Sequence, residues 1–259
     1  MCVEYFAGVK SITRAYQKNR LLAYGYDIAH GREEDILTDA GFMLALLLAL
    51  SVCEGKGTSH FATVCSTWVW MSRASTRRSR TNPLSQGFST PCVDLANMMV
   101  SRTCILMRLL EARRCSWTLE QPSTSLMIQH PRVQFKFRVN TWLGMFGART
   151  RKQIYLLSNN SWVSTLHRAL DPSQSFDSTG VVTKNGTQVN GSSRLKETQA
   201  YPDDFGKAYY KAHAAWAGDE DNHSDASSVT TADDEDEWED CGLSRLVRAK
   251  GFNGKMPYK

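Results

Sequence analysis

A chain of 259 residues that is 42% hydrophobic and 10% aromatic suits one large folded domain and excludes wholesale disorder. Its net charge of +5 conceals a division, because Gly218 to Asp240 holds eleven Asp and Glu and no Lys or Arg, leaving 31 basic against 15 acidic residues elsewhere, about +16. A body so basic points to a polyanionic partner, nucleic acid first, since clustered cations displace counterions from phosphates; a basic surface that serves only solubility is the plainer alternative.

Met1-Cys2-Val3-Glu4-Tyr5 offers no basic region followed by an apolar core, so no secretory signal is expected. Val3 to Phe6 reads as a short strand stopped by Ala7-Gly8, and Ser11 is a plausible N-cap for the helix that follows. Leu21 to Tyr26 returns to strand composition and ends at Asp27. Strand, glycine turn, helix and a second strand with a terminal acid form the opening unit of a nucleotide-binding βαβ fold.

The apolar run Gly41 to Cys53 is too short to span a membrane and reads as a buried helix, so no membrane partner is expected. Gly55 to Gly57 turns the chain into a strand, His60 to Val64, which delivers Cys65-Ser66-Thr67-Trp68 at its carboxyl end. Residues 72 to 91 form a long polar loop in which Arg73, Arg77, Arg78 and Arg80 follow Trp68 and Trp70, a mixture suited to phosphate contact and base stacking. A basic loop that meets the chain's own acidic tail is the competing reading.

Val93 to Arg114 carries apolar residues at helical spacing and predicts one long helix. Ser116 to Glu120 is the next strand, Ser123 to His130 starts another helix, and Thr141 to Phe146 and Gln153 to Leu157 are further strands on either side of the basic turn Arg149-Thr150-Arg151-Lys152. A hairpin from Val181 to Val189 around Asn185-Gly186 and a last helix from Tyr201 to Trp216 complete the folded part. Residues 1–216 are thus expected to form one domain with a hairpin or loop insertion at 170–198, and residues 217–259 an acidic, disordered tail. Seven scattered cysteines (2, 53, 65, 92, 104, 115, 241) without a CxxC pair read as reduced thiols inside a cell, the nucleus being one compartment that suits a basic body. The six histidines lack ligand spacing, and no structural metal is expected.

In the order of its motifs the chain resembles the cytosine-5 DNA methyltransferase family over roughly residues 3 to 160. Glu4-Tyr5-Phe6-Ala7-Gly8-Val9 is similar to the family's first motif, so the resemblance implies S-adenosylmethionine as cofactor, held at Phe6, Ala7 and Gly8. Asp27 occupies the place of the acid that bonds the ribose hydroxyls, and Asp35-Ile36 resembles the pair that borders the adenine ring. Cys65 falls where the family has its nucleophile, Glu120 in Glu120-Gln121-Pro122 resembles the glutamate that bonds the cytosine edge, and Arg149-Thr150-Arg151 resembles the Arg-x-Arg motif that holds the activated base. The resemblance implies a doubly wound α/β fold with a mostly parallel sheet, of the class I S-adenosylmethionine-dependent methyltransferase (Rossmann-like) type. It also implies transfer of a methyl group to nucleic acid, DNA ahead of RNA, at cytosine C5. Departures from the pattern keep an alternative in view: a catalytically inactive relative that binds nucleic acid or a protein partner. Val64 stands where the family has proline, Lys10 where it has a second glycine, and only about forty residues remain for a recognition domain.

Overall fold

A computed structural model describes residues 1–176, 181–184, 187–190 and 200–218 of the chain. The acidic segment from 219 onward and the turn Asn185-Gly186 lie outside the described residues.

The first strand, β1 (Cys2–Tyr5), alternates Val3 and Tyr5 with Cys2 and Glu4, and all four are buried, as expected for a strand covered on both faces. Glu4 begins the next element. Its carboxylate accepts hydrogen bonds from the backbone N–H of Ile12 (3.3 Å) and Thr13 (2.7 Å) and from the Thr13 hydroxyl (2.6 Å), so a residue of the preceding strand closes the amino end of α1 (Ser11–Lys18). The expected Ser11 cap is therefore corrected: Lys10 occupies the N-cap position in a left-handed conformation, and the Ser11 hydroxyl donates to the Tyr201 carbonyl instead (2.7 Å).

The second strand, β2 (Ala23–Tyr26), ends at Asp27. Helix α2 (Asp39–Leu50) starts two residues earlier than its apolar run, because the Thr38 hydroxyl accepts from Gly41 N–H (3.0 Å) and caps it there. After β3 (Thr58–Phe61) the chain leaves the sheet three residues sooner than the expected strand end at Val64. A short helix α3 (Arg73–Thr76) follows, then the long helix α4 (Pro91–Ala112), started by the Thr90 cap with Pro91 in the first turn. Strand β4 (Ser116–Pro122) is followed only by a single 3-10 turn, Leu126–Gln129, where a helix was expected, since Pro131 stops the chain from extending it. Strand β5 (Phe137–Trp142) lies before most of the stretch expected for it, and Leu143–Phe146 is a 3-10 turn. Strand β6 (Gln153–Ser158), the antiparallel pair β7 (Val181–Lys184) and β8 (Thr187–Asn190), and helix α5 (Asp203–Ala217) complete the described elements.

Six strands form one sheet in the order β2-β1-β3-β4-β6-β5. Strands β1 to β4 are mutually parallel where they pair, and β6 is antiparallel to both neighbours. The fold is thus α/β, with a mostly parallel mixed sheet between helices. One face carries α2 and α4 over Val3, Tyr5, Phe61, Trp117 and Leu119; the other carries α1 and α5 over Cys2, Ile154 and Leu156, with Trp162 and Phe205 in the same cluster. Gly206 lets α5 approach α1 backbone to backbone, since a Cβ there would sit 2.2 Å from the Ser11 carbonyl oxygen.

Three histidines are buried in this framework without charge. Burial lowers His60 to about 3, His213 to about 3 and His130 to about 4. An unfolded histidine titrates near ~6.5, so below that pH the unfolded chain takes up protons that the folded chain refuses. Stability is therefore intact above about pH 6.5 and is lost as the pH falls towards the folded values, by up to ~1.4 kcal/mol per pH unit for each group. Glu4, which burial raises, acts in the opposite sense and offsets part of the loss at the acid end. Urea melts at pH 5 are expected to show stability lower by on the order of 4 kcal/mol than at pH 7; an unchanged midpoint would mean that these rings reach water in the folded state.

Candidate active site

The chain leaves β1 towards β2 on one side and returns to place β3 on the other, so the strand order reverses between β1 and β3. In open α/β sheets ligands bind at such a point, outside the carboxyl ends of the strands. A cavity of about 450 Å³ lies there, lined among others by Phe6, Ala7, Gly8, Asp27, Cys65 and Glu120. Six of the candidates named from sequence thus meet in one pocket.

Its first wall is the loop between β1 and α1. Phe6, Gly8 and Lys10 all have positive φ (60°, 48° and 59°), and for the two non-glycine residues this costs of order 1 kcal/mol each. The strained loop is clamped to the end of β2: Ala7 N–H donates to the Tyr26 carbonyl (3.1 Å), and Gly8 N–H donates to Asp27 Oδ2 (2.9 Å). The other Asp27 oxygen accepts from Ala29 N–H (2.8 Å). Each carboxylate oxygen accepts one bond here and has capacity for a second, as a diol ligand requires.

The second wall comes from the ends of β3 and β4. Beyond Phe61 the chain is held by the Gln121 side-chain amide, which donates to the Thr63 carbonyl (2.5 Å), and this delivers Cys65 past the strand end. Burial pushes the Cys65 thiol up, the Glu120 charge adds to the rise, and Lys152 opposes it. Glu120 is 5% exposed, and its Oε1 has no hydrogen-bond partner; the Lys152 ammonium stands 3.7 Å from it.

Lys152, Tyr201 and Ile28 also line the cavity, and none of them was a candidate from sequence. Register explains Lys152. Because β6 runs antiparallel to β4 with Leu156 opposite Glu120 and Ile154 opposite Pro122, residues of even number along this strand share the Glu120 face, and Lys152 continues that series. Arg149 and Arg151 have the other parity. Both are exposed and neither lines the cavity, and the Arg151 guanidinium lies 5.9 Å from the Phe176 ring, so the Arg-x-Arg pair expected to clamp a base is not brought to the pocket.

Tyr201 arrives from the segment just before α5. Its hydroxyl lies between the Glu120 carboxylate and His60 Nε2 (3.2 Å), and His60 Nδ1 meets the Thr118 hydroxyl (2.7 Å), which in turn meets the Tyr209 hydroxyl (3.0 Å). A buried chain of polar groups therefore runs from α5 through the sheet to Glu120. Asp35 stands apart. Its side chain accepts from Leu37 N–H (2.9 Å) in the turn before α2, outside the cavity lining.

The basic loop is folded against the body. Arg73 stacks on Trp70 (3.9 Å) and Arg77 faces Phe88 (4.4 Å), and these two with Arg80 are exposed. Arg78 and Trp68 must be corrected. The Arg78 guanidinium is buried over the Trp68 ring at 3.5 Å and donates to Asn97 Oδ1 (2.9 Å), so it holds the loop in place and is closed to phosphate; Trp68, fully buried, is closed to bases.

No family model, curated protein or solved structure matches the chain. The case for function therefore rests on these residues and their arrangement. Among the described residues, no helix is long and apolar enough to cross a membrane, and no three His, Cys, Asp or Glu side chains could together hold a metal ion.

Proposed function

We propose that the chain is an S-adenosylmethionine-dependent methyltransferase that acts on nucleic acid, with cytosine C5 as the target atom. The observation that carries this reading is Glu120 Oε1, a buried carboxylate oxygen without a hydrogen-bond donor in the same cavity as the Cys65 thiol. With only the Lys152 ammonium at 3.7 Å to offset its charge, this oxygen keeps accepting capacity for a ligand N–H such as the amine edge of cytosine.

The residues present fit the cofactor. Phe6, Ala7 and Gly8 would hold its methionine part, Asp27 its ribose hydroxyls and Ile28 the apolar face of its base, all on one wall of the cavity. Bound there, S-adenosylmethionine supplies an electrophilic methyl group. Cys65 works from the other wall: its thiolate adds to C6 of the pyrimidine, which makes C5 nucleophilic towards the methyl group, and loss of the C5 proton to water then breaks the S–C6 bond and releases the thiolate. Glu120 holds the cytosine edge and assists uptake of a proton from water at ring N3 as the thiolate adds, and Lys152 balances the carboxylate charge. A base can enter only from a single strand or after leaving its duplex.

A second reading is a protein of the same fold that binds nucleic acid without turnover. It is favoured by the Cys65 thiol, which burial and Glu120 keep protonated, and by the exposed Arg73, Arg77 and Arg80. Incubation with labelled S-adenosylmethionine and oligonucleotides with or without cytosine separates the two. Label at C5 of cytosine is the expected result; steeply salt-dependent binding with no label on any substrate would establish the second reading in its place.

A further inference from the structure

A second basic surface lies at the opposite end of the strands, beside the start of β4 and the end of β6. The carboxyl half of α4, the turn 131–136 before β5 and the residues after β6 enclose two adjoining cavities of about 520 and 530 Å³. They meet at Arg108, whose guanidinium donates to Gln134 Oε1 (2.7 Å) and pairs with Glu111. Cys115, at the amino end of β4, borders this groove, whereas Glu120 and Pro122 at the carboxyl end of β4 border the candidate active site. A strand of seven residues separates them, roughly 20 Å along the sheet.

The groove is cationic and its charge is unspent. Arg114, Arg132 and Lys136 line it, all three are exposed, and none makes an ion pair with a described residue. The one acid in it, Glu111, is already engaged by Arg108 and by the Trp117 indole N–H (3.1 Å). Phe135 stands among these cations with 37% of its surface exposed. An apolar protein partner would leave the three cations unpaired, and a duplex hides its base faces from a ring. Phosphates spaced along a strand, with a base free to stack, satisfy both kinds of group.

We infer that this groove binds single-stranded nucleic acid, with phosphates on Arg114, Arg132 and Lys136 and a base on Phe135. The inference is independent of methyl transfer and of the pocket between β1 and β3. It also moves the main nucleic-acid contact away from the loop of Arg73, Arg77 and Arg80.

Fluorescence anisotropy of the full chain with labelled oligo(dT) of about 20 nucleotides, and with a duplex of the same length, tests it. A triple variant Arg114→Glu, Arg132→Glu, Lys136→Glu, with its fold checked by circular dichroism, is expected to weaken oligo(dT) binding at least tenfold. It should also lower the slope of log affinity against log salt by about 2, at ~0.7 for each phosphate that is no longer neutralised. Phe135→Ala is expected to weaken oligo(dT) by roughly five- to hundredfold and to leave duplex binding unchanged. Three results overturn the inference: no binding of oligo(dT) by the wild type, binding that survives the groove variant but disappears in Arg73→Glu, Arg77→Glu, Arg80→Glu, or an equal effect of Phe135→Ala on single strand and duplex, which is the mark of a generic polyanion surface. Each is independent of whether methyl transfer occurs.

Discussion

Replacement of Cys65 by alanine is expected to lower methyl transfer to cytosine by on the order of 10⁴-fold or more, while affinity for S-adenosylmethionine stays within about twofold of wild type. The two sides of the cavity explain the split. The proposed cofactor contacts are on the loop after β1 and the end of β2, whereas Cys65 sits on the wall made by β3 and β4. The nucleophile is indispensable to the proposed route, because C5 has no other means of activation. In the wild type the rate should rise from pH 7 towards 9, since burial and the Glu120 charge both push the thiol above its ordinary range and the thiolate is the reacting form. Measurement of label transfer and cofactor binding on the same preparations checks both halves. Full transfer by the alanine variant would remove Cys65 from the mechanism; loss of transfer together with loss of cofactor binding would show a structural role.

Phe205→Ala is expected to destabilise the fold by about 3–5 kcal/mol, a large part of the roughly 5–15 kcal/mol typical of a domain. Phe205 is fully buried on α5 and packs edge-on against Phe146 (5.3 Å) and beside Tyr201 (4.9 Å) and His60 (6.3 Å). These neighbours connect it to function. Tyr201 lines the cavity and its hydroxyl faces Glu120, so loosening the amino end of α5 frees the residue that positions that carboxylate. The variant should therefore melt roughly 10 °C lower and bind the pocket's ligand more weakly even at temperatures where it remains folded. A melting temperature within about 2 °C of wild type would show that α5 does not depend on this ring.

The order of the elements and one half of the pocket were legible in the sequence. Val3 to Gly8 and Leu21 to Asp27 announce a strand, a glycine turn and a terminal acid by composition alone, and the structure joins them through the Gly8–Asp27 hydrogen bond. The apolar spacing from Val93 onward marked the long helix to within two residues at each end, whereas its Thr90 cap and Pro91 fell in the stretch expected as loop. Long-range side-chain contacts were not legible. Nothing local tells that Glu4 rather than Ser11 closes α1, because the partner is a buried side chain from the neighbouring strand. The choice between Arg151 and Lys152 turned on a single step of register in β6, which depends on an antiparallel pairing that the run Gln153 to Leu157 does not encode. Arg78 reads like its neighbours Arg77 and Arg80, yet the aromatic ring of Trp68 ten residues earlier takes it into the interior. Tyr201 came into the pocket from a segment 81 residues beyond Glu120, by way of the α1–α5 packing at Gly206.

The claim on which the account depends is that the cavity between β1 and β3 holds S-adenosylmethionine. Calorimetric titration of the full chain with S-adenosylmethionine, beside an Asp27→Ala variant of unchanged melting temperature, tests it most directly. Binding in the micromolar range that weakens at least tenfold in the variant, about 1.4 kcal/mol, is the predicted result. The absence of binding at millimolar cofactor, or equal binding by wild type and variant, would contradict the account.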